Sequence, residues 1–469
     1  MAPVVNRYIV VFEGTRTSSG FALGGNYAAN ISAVRSMMRR TGTTISTDLS
    51  RQIGVMLVTT TNQNFTSEMS MSDLVREVGR DFSWKQYASL DEALASGQLT
   101  IADPTGIVSD QAGRDPLSRL QWDMQQIRAF EAHAVSPGDR RVDVGILDSG
   151  IDGQHPDFQL GDGGSNVDCA RGHNSVSFLP DGPGVGSPDP CVDNQFHGTH
   201  VAGTVAAQNN GVGITGVAPN VTLVPVKTCD ASGYCYASSV IDGITYAGQI
   251  QLDVINMSFF VDDDAFQEST EFKCLGDPEQ RTFRVAVQRA LDYARGRGVT
   301  AVAALGNSDT DLGPTEGCKV IPAESIGVLG VTALGLDSGR SSYSNYGMGP
   351  ADVAAPGGDG DTGDCTTTIL STLPGGAYGC IQGTSMATPH AAGVAALIVS
   401  QLGTVGSEGD IKLDESLVRQ RVRATAIDIG QVGYDKCFGK GRIDALRAVK
   451  DRRAYAYDES APFCPEYGE

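Results

Sequence analysis

From about Asp115 onward, short apolar runs alternate with stretches in which apolar residues recur at helical spacing. The predicted strands are 141–147, 221–226, 254–259, 299–305 and 327–333, and the predicted helices are 197–208, 237–248, 283–297, 387–401 and 415–424. Strands that alternate with helices pair in parallel through right-handed crossovers. The pattern therefore predicts an α/β fold, with a mostly parallel, doubly wound sheet flanked by helices.

The first 90 residues follow a different pattern. Strands are predicted at 8–12, 54–60 and 84–90, and helices at 27–41 and 71–78. This order indicates a small ferredoxin-like α+β domain. Polar, breaker-rich sequence fills 91–118 and is typical of a linker that proteases can reach. We therefore divide the chain into domains 1–90 and 119–469, with 91–118 as a linker that carries a processing site.

Charge and hydropathy narrow the range of partners. The 469-residue chain has a formal net charge of −20, which disfavours nucleic acid and anionic membranes as partners. No apolar run approaches the ~18 residues that a membrane-spanning helix needs. We predict a monomer that binds neither nucleic acid nor membranes.

The cysteines indicate an oxidising compartment. All ten lie after residue 168. The sequence contains no CxxC pair of the kind that binds zinc. Sequence alone leaves the connectivity open, and the simplest hypothesis joins nearest neighbours: Cys169–Cys191, Cys229–Cys235, Cys274–Cys318, Cys365–Cys380 and Cys437–Cys464. The apolar burst at 8–12 is too short for a signal peptide. Either a signal was removed or secretion is unconventional, and the cysteines favour an extracellular protein.

Four polar residues lie where a parallel sheet binds ligands. Asp148 and Asn307 each follow a predicted strand, and ligands of such sheets bind beyond the strand carboxyl ends. His197 and Ser385 each lie at the start of a predicted helix. A helix N-terminus offers free N–H groups and the positive end of the dipole to an anion.

Each of these residues also has an ordinary structural interpretation. Asp148 and Asn307 fit turns, and Ser385 fits a helix N-cap. His197 and His200 have the spacing of a metal pair, but no third ligand accompanies them in sequence, so His200 is interpreted as a packed helix residue. Taken together, however, the four residues supply an orienting carboxylate, a base, an oxyanion donor and a nucleophile in the order Asp, His, Asn, Ser.

The motifs around these residues are DSGIDGQHPDF, HGTHVAGTVAAQNN, NMSF, ALGN and GTSMATPHAAGVAAL. Together they resemble those of the subtilisin-like serine peptidases, the subtilase family, from about Trp122 to about Val449. Residues 1–90, with RYIVVFEG near the start, resemble the inhibitory propeptide of that family more weakly. The resemblance implies a zymogen whose own prodomain inhibits it, with peptides or proteins as substrates.

The resemblance also implies a role for each catalytic residue. Ser385 would be the nucleophile, His197 the general base and later the acid, and Asp148 the group that orients the imidazole. The backbone N–H of Ser385 and the side-chain amide of Asn307 would hold the oxyanion.

A calcium site is implied in the same way. The loop QNNGVGITGVAP resembles the calcium loop of the family. The implied ligands are the backbone carbonyls of Gln208, Val212 and Ile214 and the side chains of Asn210 and Asp157. Oxygen ligands on a glycine-rich loop suit Ca²⁺. The alternative is a solvent loop with a buried contact between the aspartate and the backbone.

The substrate pocket departs from the family pattern. Where the family commonly has Ser-Leu-Gly-Gly, this chain has Ser258, Phe259, Phe260 and then valine. With Gly306, these residues are the expected substrate-binding positions, and the bulky side chains either narrow the pocket or re-route the loop. The insertion at 262–282 opens with three aspartates, which could select a basic substrate but more commonly form a solvated face.

Three functions remain open at this point. The first is a secreted serine endopeptidase that cuts itself between about Ile101 and Arg119. The second is a peptide ligase or macrocyclase of the same fold, or a processing protease of narrow specificity. The third is a binding protein derived from a protease, which the complete set of four catalytic residues disfavours.

Overall fold

The computed structural model describes residues 5–17, 20–22, 27–102, 114–161, 163–177, 186–261, 277–313, 319–360 and 365–464. We refer to 5–102 as the N-terminal unit and to 114–464 as the main unit. The elements of the N-terminal unit are β1 (Asn6–Phe12), β2 (Thr15–Thr17), β3 (Gly20–Ala22), α1 (Tyr27–Arg40), β4 (Thr44–Leu49), β5 (Val55–Thr60), α2 (Phe65–Ser70), β6 (Val75–Arg80), β7 (Ser83–Lys85), α3 (Leu90–Ser96) and β8 (Thr100–Ile101).

Four strands of the N-terminal unit form an antiparallel sheet in the order β4-β5-β1-β6. With α1 and α2 as the two crossovers, this is the predicted ferredoxin-like arrangement, but its fourth strand is β6 and not the strand predicted at 84–90. The helix predicted at 71–78 is wrong, because α2 ends at Ser70 and residues 75–80 form an edge strand. Val78 pairs there with Val10 of the central strand, so tertiary pairing overrides the local helical spacing.

The main unit contains the elements predicted from the apolar runs, together with shorter ones. They are α4 (Trp122–Gln126), α5 (Ala129–His133), β9 (Asp143–Asp148), β10 (His173–Asn174), α6 (His197–Ala206), β11 (Thr222–Lys227), β12 (Tyr234–Tyr236), α7 (Ala237–Gln249), β13 (Val254–Met257), α8 (Pro278–Arg295), β14 (Thr300–Ala304), β15 (Val328–Leu334), β16 (Val353–Pro356), β17 (Ile369–Leu373), β18 (Ala377–Ile381), α9 (Thr384–Leu402), β19 (Thr404–Val405), β20 (Ile411–Lys412), α10 (Glu415–Thr425), β21 (Asp428–Ile429), α11 (Ala445–Val449) and β22 (Tyr457–Asp458). Short 3₁₀ helices occur at Pro116–Leu120, Pro156–Phe158 and Cys169–Arg171.

The core of the main unit is a parallel sheet. Its order in the described residues is β10-β11-β9-β13-β14-β15-β16, and every neighbouring pair is parallel. The central strands are buried along their whole length, as continuous apolar runs in a parallel sheet require. Helix α9 is buried from Thr384 to Val399 and belongs to the same apolar cluster as α6. The predicted α/β fold is confirmed.

The two units pack against each other through one face of the N-terminal sheet. One face is covered by α1 and α2 of the N-terminal unit itself. On the other face, Ile9, Val11 and Leu57 join the apolar cluster that contains Ile241 of α7 and Phe283 of α8. The N-terminal unit therefore buries both faces of its sheet only while it is docked on the main unit.

Four of the predicted disulfides are present: Cys169–Cys191, Cys229–Cys235, Cys365–Cys380 and Cys437–Cys464. The fifth predicted pair, Cys274–Cys318, lies outside the described residues, as does most of the aspartate-rich insertion. Each observed bridge closes a short loop, as the nearest-neighbour hypothesis requires.

Among the helices of the described residues, none is both long and apolar enough to cross a membrane.

Candidate active site

Asp148 and His197 form a buried pair at the carboxyl edge of the sheet. Asp148 ends β9 and is fully buried, and His197 begins α6. The imidazole Nδ1 lies 3.0 Å from both carboxylate oxygens of Asp148. Because Nδ1 faces the carboxylate, the pair fixes the ring orientation and leaves Nε2 for another partner.

The loop before His197 is held by a second carboxylate. Asp193 accepts hydrogen bonds from the backbone N–H groups of Gln195, Phe196 and Thr199. Phe196 adopts a φ of 130°, which is uncommon for a residue with a side chain. Gln195 Oε1 then accepts from the backbone N–H of His197 at 2.8 Å. These contacts define where α6 begins, and therefore where the imidazole lies.

Ser385 lies in the first turn of α9 and is buried. Its Oγ donates to the carbonyl of Ser258 at 2.9 Å, and the Ser258 hydroxyl donates to the carbonyl of Ser385 at 2.7 Å. This reciprocal pair connects the start of α9 to the end of β13. Because a hydroxyl has only one proton, the Ser385 proton points at the Ser258 carbonyl in this structure.

Asn307 lies in the loop that follows β14, facing the start of α9. Its Oδ1 accepts from the backbone N–H of Thr384 at 2.9 Å and from the Thr384 hydroxyl at 2.7 Å. These two contacts turn the amide so that Nδ2 points the other way. Asn307 Nδ2 lies close to Gly383, since a Cβ built on that glycine would be 3.4 Å from it. The amide N–H₂ of Asn307 is therefore beside the residues just before Ser385. His197, Asn307 and Ser385 line one cleft, and Asp148 lies buried behind His197.

Tyr87 of the N-terminal unit lies inside this cleft. Its ring stacks on His197, with centroids 3.7 Å apart and planes 20° apart. Its hydroxyl donates to the Ser258 carbonyl at 3.0 Å and reaches Asp148 Oδ2 at 3.3 Å. Burial, together with the nearby Asp148 carboxylate, raises the pKa of Tyr87 well above its ordinary value, so the hydroxyl remains a donor.

The chain around Tyr87 crosses the cleft as an added strand. Strand β7 pairs antiparallel with β12, and the N–H groups of Gln86 and Tyr87 both donate to the carbonyl of Gly233. The Gln86 side chain accepts from the backbone N–H of Phe260, and Gln195 Nε2 donates to the carbonyl of Ala88. The remaining open space, of about 630 Å³, is lined by both units.

The predicted substrate-binding residues have different environments. Ser258 is buried, and its carbonyl is shared by Tyr87 and Ser385. Phe259 is fully buried in the apolar cluster of α7 and α8, so its side chain is part of the core here. Phe260 packs at the edge of that cluster. Gly306 has a φ of 106° and donates its N–H to the Thr384 hydroxyl.

The predicted calcium residues also come together. Asp157 is fully buried, its carbonyl accepts from Gln208 N, and its Oδ2 accepts from Ile214 N. Asn210 donates to the carbonyl of Pro156, and its own Oδ1 accepts from Val212 N. The loop therefore folds back over Asp157, an arrangement that both the calcium site and the alternative of a buried contact between the aspartate and the backbone would give.

Two observations bear on whether a cation fits this loop. Asp157 Oδ1 is buried and has no hydrogen-bond partner among the described residues. Burial raises the pKa of Asp157 to about 8, and Asp115 adds to that effect. Asp115 is buried too, and its oxygens accept from Gly211 N and Thr215 Oγ1. A buried carboxylate oxygen without a partner fits a cation such as Ca²⁺, although no cluster of three acidic, histidine or cysteine ligands occurs in the described residues.

Neither of the other two histidines near the site is placed as a metal ligand. His200 is fully buried, its Nε2 contacts the carbonyls of Ile369 and Gly379, and burial lowers its pKa to about 3. His390 is fully buried between Asp123 and the carbonyl of Met386. His200 is therefore a packed helix residue, as predicted.

Several residues of the site were not predicted. Thr384 precedes Ser385 in the GTS motif, so its position next to the helix start was a usable signal. Asp193 lies four residues before His197, and an aspartate there could have suggested a turn. Tyr87 and Asp115 carry no local signal, because both act across long sequence separations.

The sequence profile described as the subtilase family, Peptidase S8, matches residues 139–441. Among curated proteins, subtilisin E of Bacillus subtilis is 34% identical over 363 residues, which are 77% of this chain and 80% of that protein. The subtilisin of Bacillus pumilus is 36% identical over 331 residues, 71% of this chain and 99% of that protein.

Solved structures share the same architecture. The epidermin leader peptide processing serine protease of Staphylococcus aureus superposes with a TM-score of 0.68 at 20% identity, covering 96% of this chain and 99% of that one. A lanthipeptide protease superposes with a TM-score of 0.56 at 25% identity, covering 70% of this chain and 93% of that one. The first similarity extends over the N-terminal unit as well as the main unit.

Proposed function

This chain belongs to the subtilase family and is a serine endopeptidase, and on that premise we propose that Ser385, His197 and Asp148 are its catalytic triad, with Asn307 in the oxyanion hole. The observation that carries the proposal is the contact of His197 Nδ1 with both oxygens of the buried Asp148, in a cleft that His197 and Ser385 both line. That contact leaves His197 Nε2 available as the base for the Ser385 hydroxyl.

In the proposed reaction, Ser385 Oγ bonds to the substrate carbonyl carbon while its proton passes to His197 Nε2. The carbonyl oxygen becomes an oxyanion and accepts from Ser385 N–H and Asn307 Nδ2. Breaking the C–N bond releases the amine with the proton from His197. Water then repeats the sequence on the acyl-enzyme and restores Ser385.

The N-terminal unit is proposed to be the inhibitory prodomain. Tyr87 supports this role, because it covers the His197 ring and occupies the Ser258 carbonyl. While Tyr87 is in place, the base is shielded and the Ser385 proton is directed at the backbone. The uncut chain is therefore proposed to be latent.

We expect Tyr87→Ala to activate the uncut chain. Losing one ring stack and one or two hydrogen bonds costs about 2 kcal/mol, or roughly thirtyfold in occupancy of the closed form. Ser385 in the freshly purified full chain should then react with a fluorophosphonate about thirtyfold faster. Tyr87→Phe keeps the stack and should give a smaller increase, while Tyr8→Phe, remote from the cleft, should leave the rate unchanged. Equal labelling rates for all four proteins would contradict the role of Tyr87.

The experiment that tests the whole proposal combines two measurements. Fluorophosphonate labelling followed by peptide mapping should place the adduct on Ser385. N-terminal sequencing of the mature form should locate the cut between about Ile101 and Arg119, a stretch whose residues 103–113 lie outside the described ones. A label on another serine would overturn the nucleophile assignment, and an uncut active chain would overturn the zymogen.

Secretion is proposed from the disulfides. Four bridges are present in the described residues, and cytosolic proteins rarely keep such bridges. A non-reducing peptide map of the natural protein should recover them, and free thiols throughout would overturn an extracellular location.

Calcium is proposed to bind between Asp157 and the loop 208–214. Its chemistry there is structural: it would offset the charge of the buried carboxylate and hold the loop closed. We expect EGTA to lower the Tm, since a ligand that binds only the folded state stabilises it by about 2.7 kcal/mol at a hundredfold excess over Kd. In Asp157→Asn the Tm should no longer respond to EGTA. An unchanged Tm in the wild-type protein would remove the site.

A second candidate is a processing protease of narrow specificity, or a ligase that passes the acyl group to an amine. The similarity to a lanthipeptide protease and the bulky Phe260, which packs only at the edge of the apolar cluster, favour narrow specificity. Supplying an amine nucleophile with the substrate distinguishes the two outcomes. An excess of amide product over acid would indicate transfer, and acid alone would indicate hydrolysis.

A further inference from the structure

We infer that Asn345 is a positioning residue that holds the oxyanion loop, 305–310, so that Asn307 points its amide into the cleft. The inference rests on the proposed oxyanion role of Asn307, and it concerns a residue that does not touch the substrate. Asn345 lies in the turn region between β15 and β16, far from Asn307 in sequence.

Asn345 contacts the oxyanion loop on both sides of Asn307. Its Oδ1 accepts from the backbone N–H groups of Ser308 and Thr310, both at 3.0 Å. Its Nδ2 donates to the carbonyl of Leu305 at 3.0 Å, and its backbone N–H donates to the carbonyl of Gly306 at 2.9 Å. One residue thus holds four backbone groups that bracket Asn307.

Neighbouring residues of Asn345 extend the same support. The carbonyl of Tyr343 accepts from Asp309 N at 2.8 Å, and Tyr346 N donates to the carbonyl of Thr310. The buried guanidinium of Arg340 pairs with Asp309 at 2.7 Å. The segment 340–346 therefore holds the oxyanion loop in place through these hydrogen bonds and this ion pair. The Asn345 side chain makes the central contacts.

The loop needs this support because of its position. Asn307 is exposed, as are Asp309 and Thr310, so apolar burial does not fix this stretch. Asn345, by contrast, is buried at 1% exposure, where its polar groups must be satisfied. An oxyanion donor contributes through preorganisation, and a supporting group that fixes the backbone on both sides supplies it.

Thr384 and Asn345 control different degrees of freedom. Thr384 contacts the Asn307 side chain and sets the rotation of its amide. Asn345 contacts only the backbone of the loop and sets where the Asn307 Cα lies. A displacement of the donor by about 1 Å can cost about a hundredfold in rate, so loss of Asn345 acts on kcat rather than on substrate binding.

The test is a double-mutant cycle on the mature enzyme, with active sites counted by fluorophosphonate titration. We expect Asn345→Ala to lower kcat between about tenfold and a hundredfold, with KM changed less than about twofold. Asn307→Ala should lower kcat by about 10²–10³, the range known for the oxyanion asparagine of subtilisin. In the Asn307→Ala background, adding Asn345→Ala should lower kcat further by less than about twofold, because the donor it positions is gone.

Two further variants keep the result interpretable. Asn345→Asp keeps the acceptor for Ser308 and Thr310 but loses the donor to Leu305, so it should fold and show a smaller loss. Asn166→Ala removes an equally buried asparagine whose Nδ2 donates to the carbonyl of Ala206, and it should leave kcat unchanged.

The outcomes separate this inference from the proposed function. If Asn345→Ala or Asn345→Asp lowers kcat by the same factor with and without Asn307, the residue is merely structural and the inference is overturned. If Asn307→Ala alone leaves kcat unchanged, the oxyanion assignment itself is wrong. If the losses of kcat from the two substitutions are non-additive and KM is unchanged, the positioning role of Asn345 and the oxyanion role of Asn307 are both supported.

Discussion

Replacing Ser385 with alanine should lower kcat by about a millionfold, the magnitude known for the nucleophile of subtilisin. The variant keeps the buried helix start, because the Ser258 hydroxyl still donates to the carbonyl of residue 385. What it loses is the Oγ that we propose forms the acyl bond. Once an added protease has removed the N-terminal unit, the rate that remains should come from the oxyanion donors and from substrate binding alone.

The same substitution should leave the chain in one piece. If the protein cuts its own prodomain, Ser385→Ala should migrate as a single uncut band by gel and intact mass. Ser400→Ala is the matched control, since Ser400 lies on the same helix and its hydroxyl bonds to the carbonyl of Ala396. Self-cleavage of Ser385→Ala would show that another residue attacks, whereas loss of cleavage in Ser400→Ala would point to a damaged fold.

Replacing Asp148 with asparagine should lower kcat by about ten-thousandfold, with little change in KM. The substitution keeps the shape of the side chain but removes the charge that faces His197 Nδ1 at 3.0 Å. An amide can present N–H to the ring, which favours the tautomer in which Nε2 carries the proton. That tautomer cannot accept the proton of Ser385, and the imidazolium that forms during attack loses its counter-charge.

Another aspartate–histidine pair provides the control. Asp242 contacts His173 Nε2 at 2.8 Å on the surface of α7, remote from the cleft. Asp242→Asn should leave kcat unchanged, and both variants should be compared at equal active-site concentration. An Asp148→Asn enzyme that kept its kcat to within a factor of ten would remove Asp148 from the triad.

The α/β core could be predicted because its signals are local and continuous. The apolar runs that become β9 and β14 end at Asp148 and shortly before Asn307, and parallel strands present such ends at one edge. His197 and Ser385 were found because each opens an apolar helix. Strand ends and helix starts made these four positions candidates, and the resemblance of the surrounding motifs to the subtilase family implied their roles.

Short amphipathic elements were harder to predict. Residues 71–78 have helical spacing, yet β6 forms there because it completes a sheet edge beside β1. The antiparallel strands β17 and β18 contain only short apolar runs, which makes them hard to recognise in the sequence. They form a sheet with β8 of the N-terminal unit. Strands of this kind are specified by their partners more than by their own residues.

Contacts between distant segments were beyond sequence reasoning. Tyr87 was assigned to a terminal strand, and nothing near it indicates that its ring would lie against His197. Asn345 stands in an ordinary-looking turn, and its importance appears only when its four contacts to 305–310 are seen together. Asp115 likewise reaches the loop at Gly211 from a part of the chain assigned to the linker.

If the N-terminal unit is an inhibitory prodomain, as proposed, the second face of its sheet would make its removal irreversible. Departure of that unit after cleavage would uncover Ile9, Val11 and Leu57, which now pack with α7 and α8. It would also break the contact of Arg289 with the carbonyl of Phe12. A domain this small gains a large part of its stability from such burial, so the released piece should unfold and become easy to digest. Cleavage would then be irreversible in effect, because a digested N-terminal unit could not rebind to the main unit.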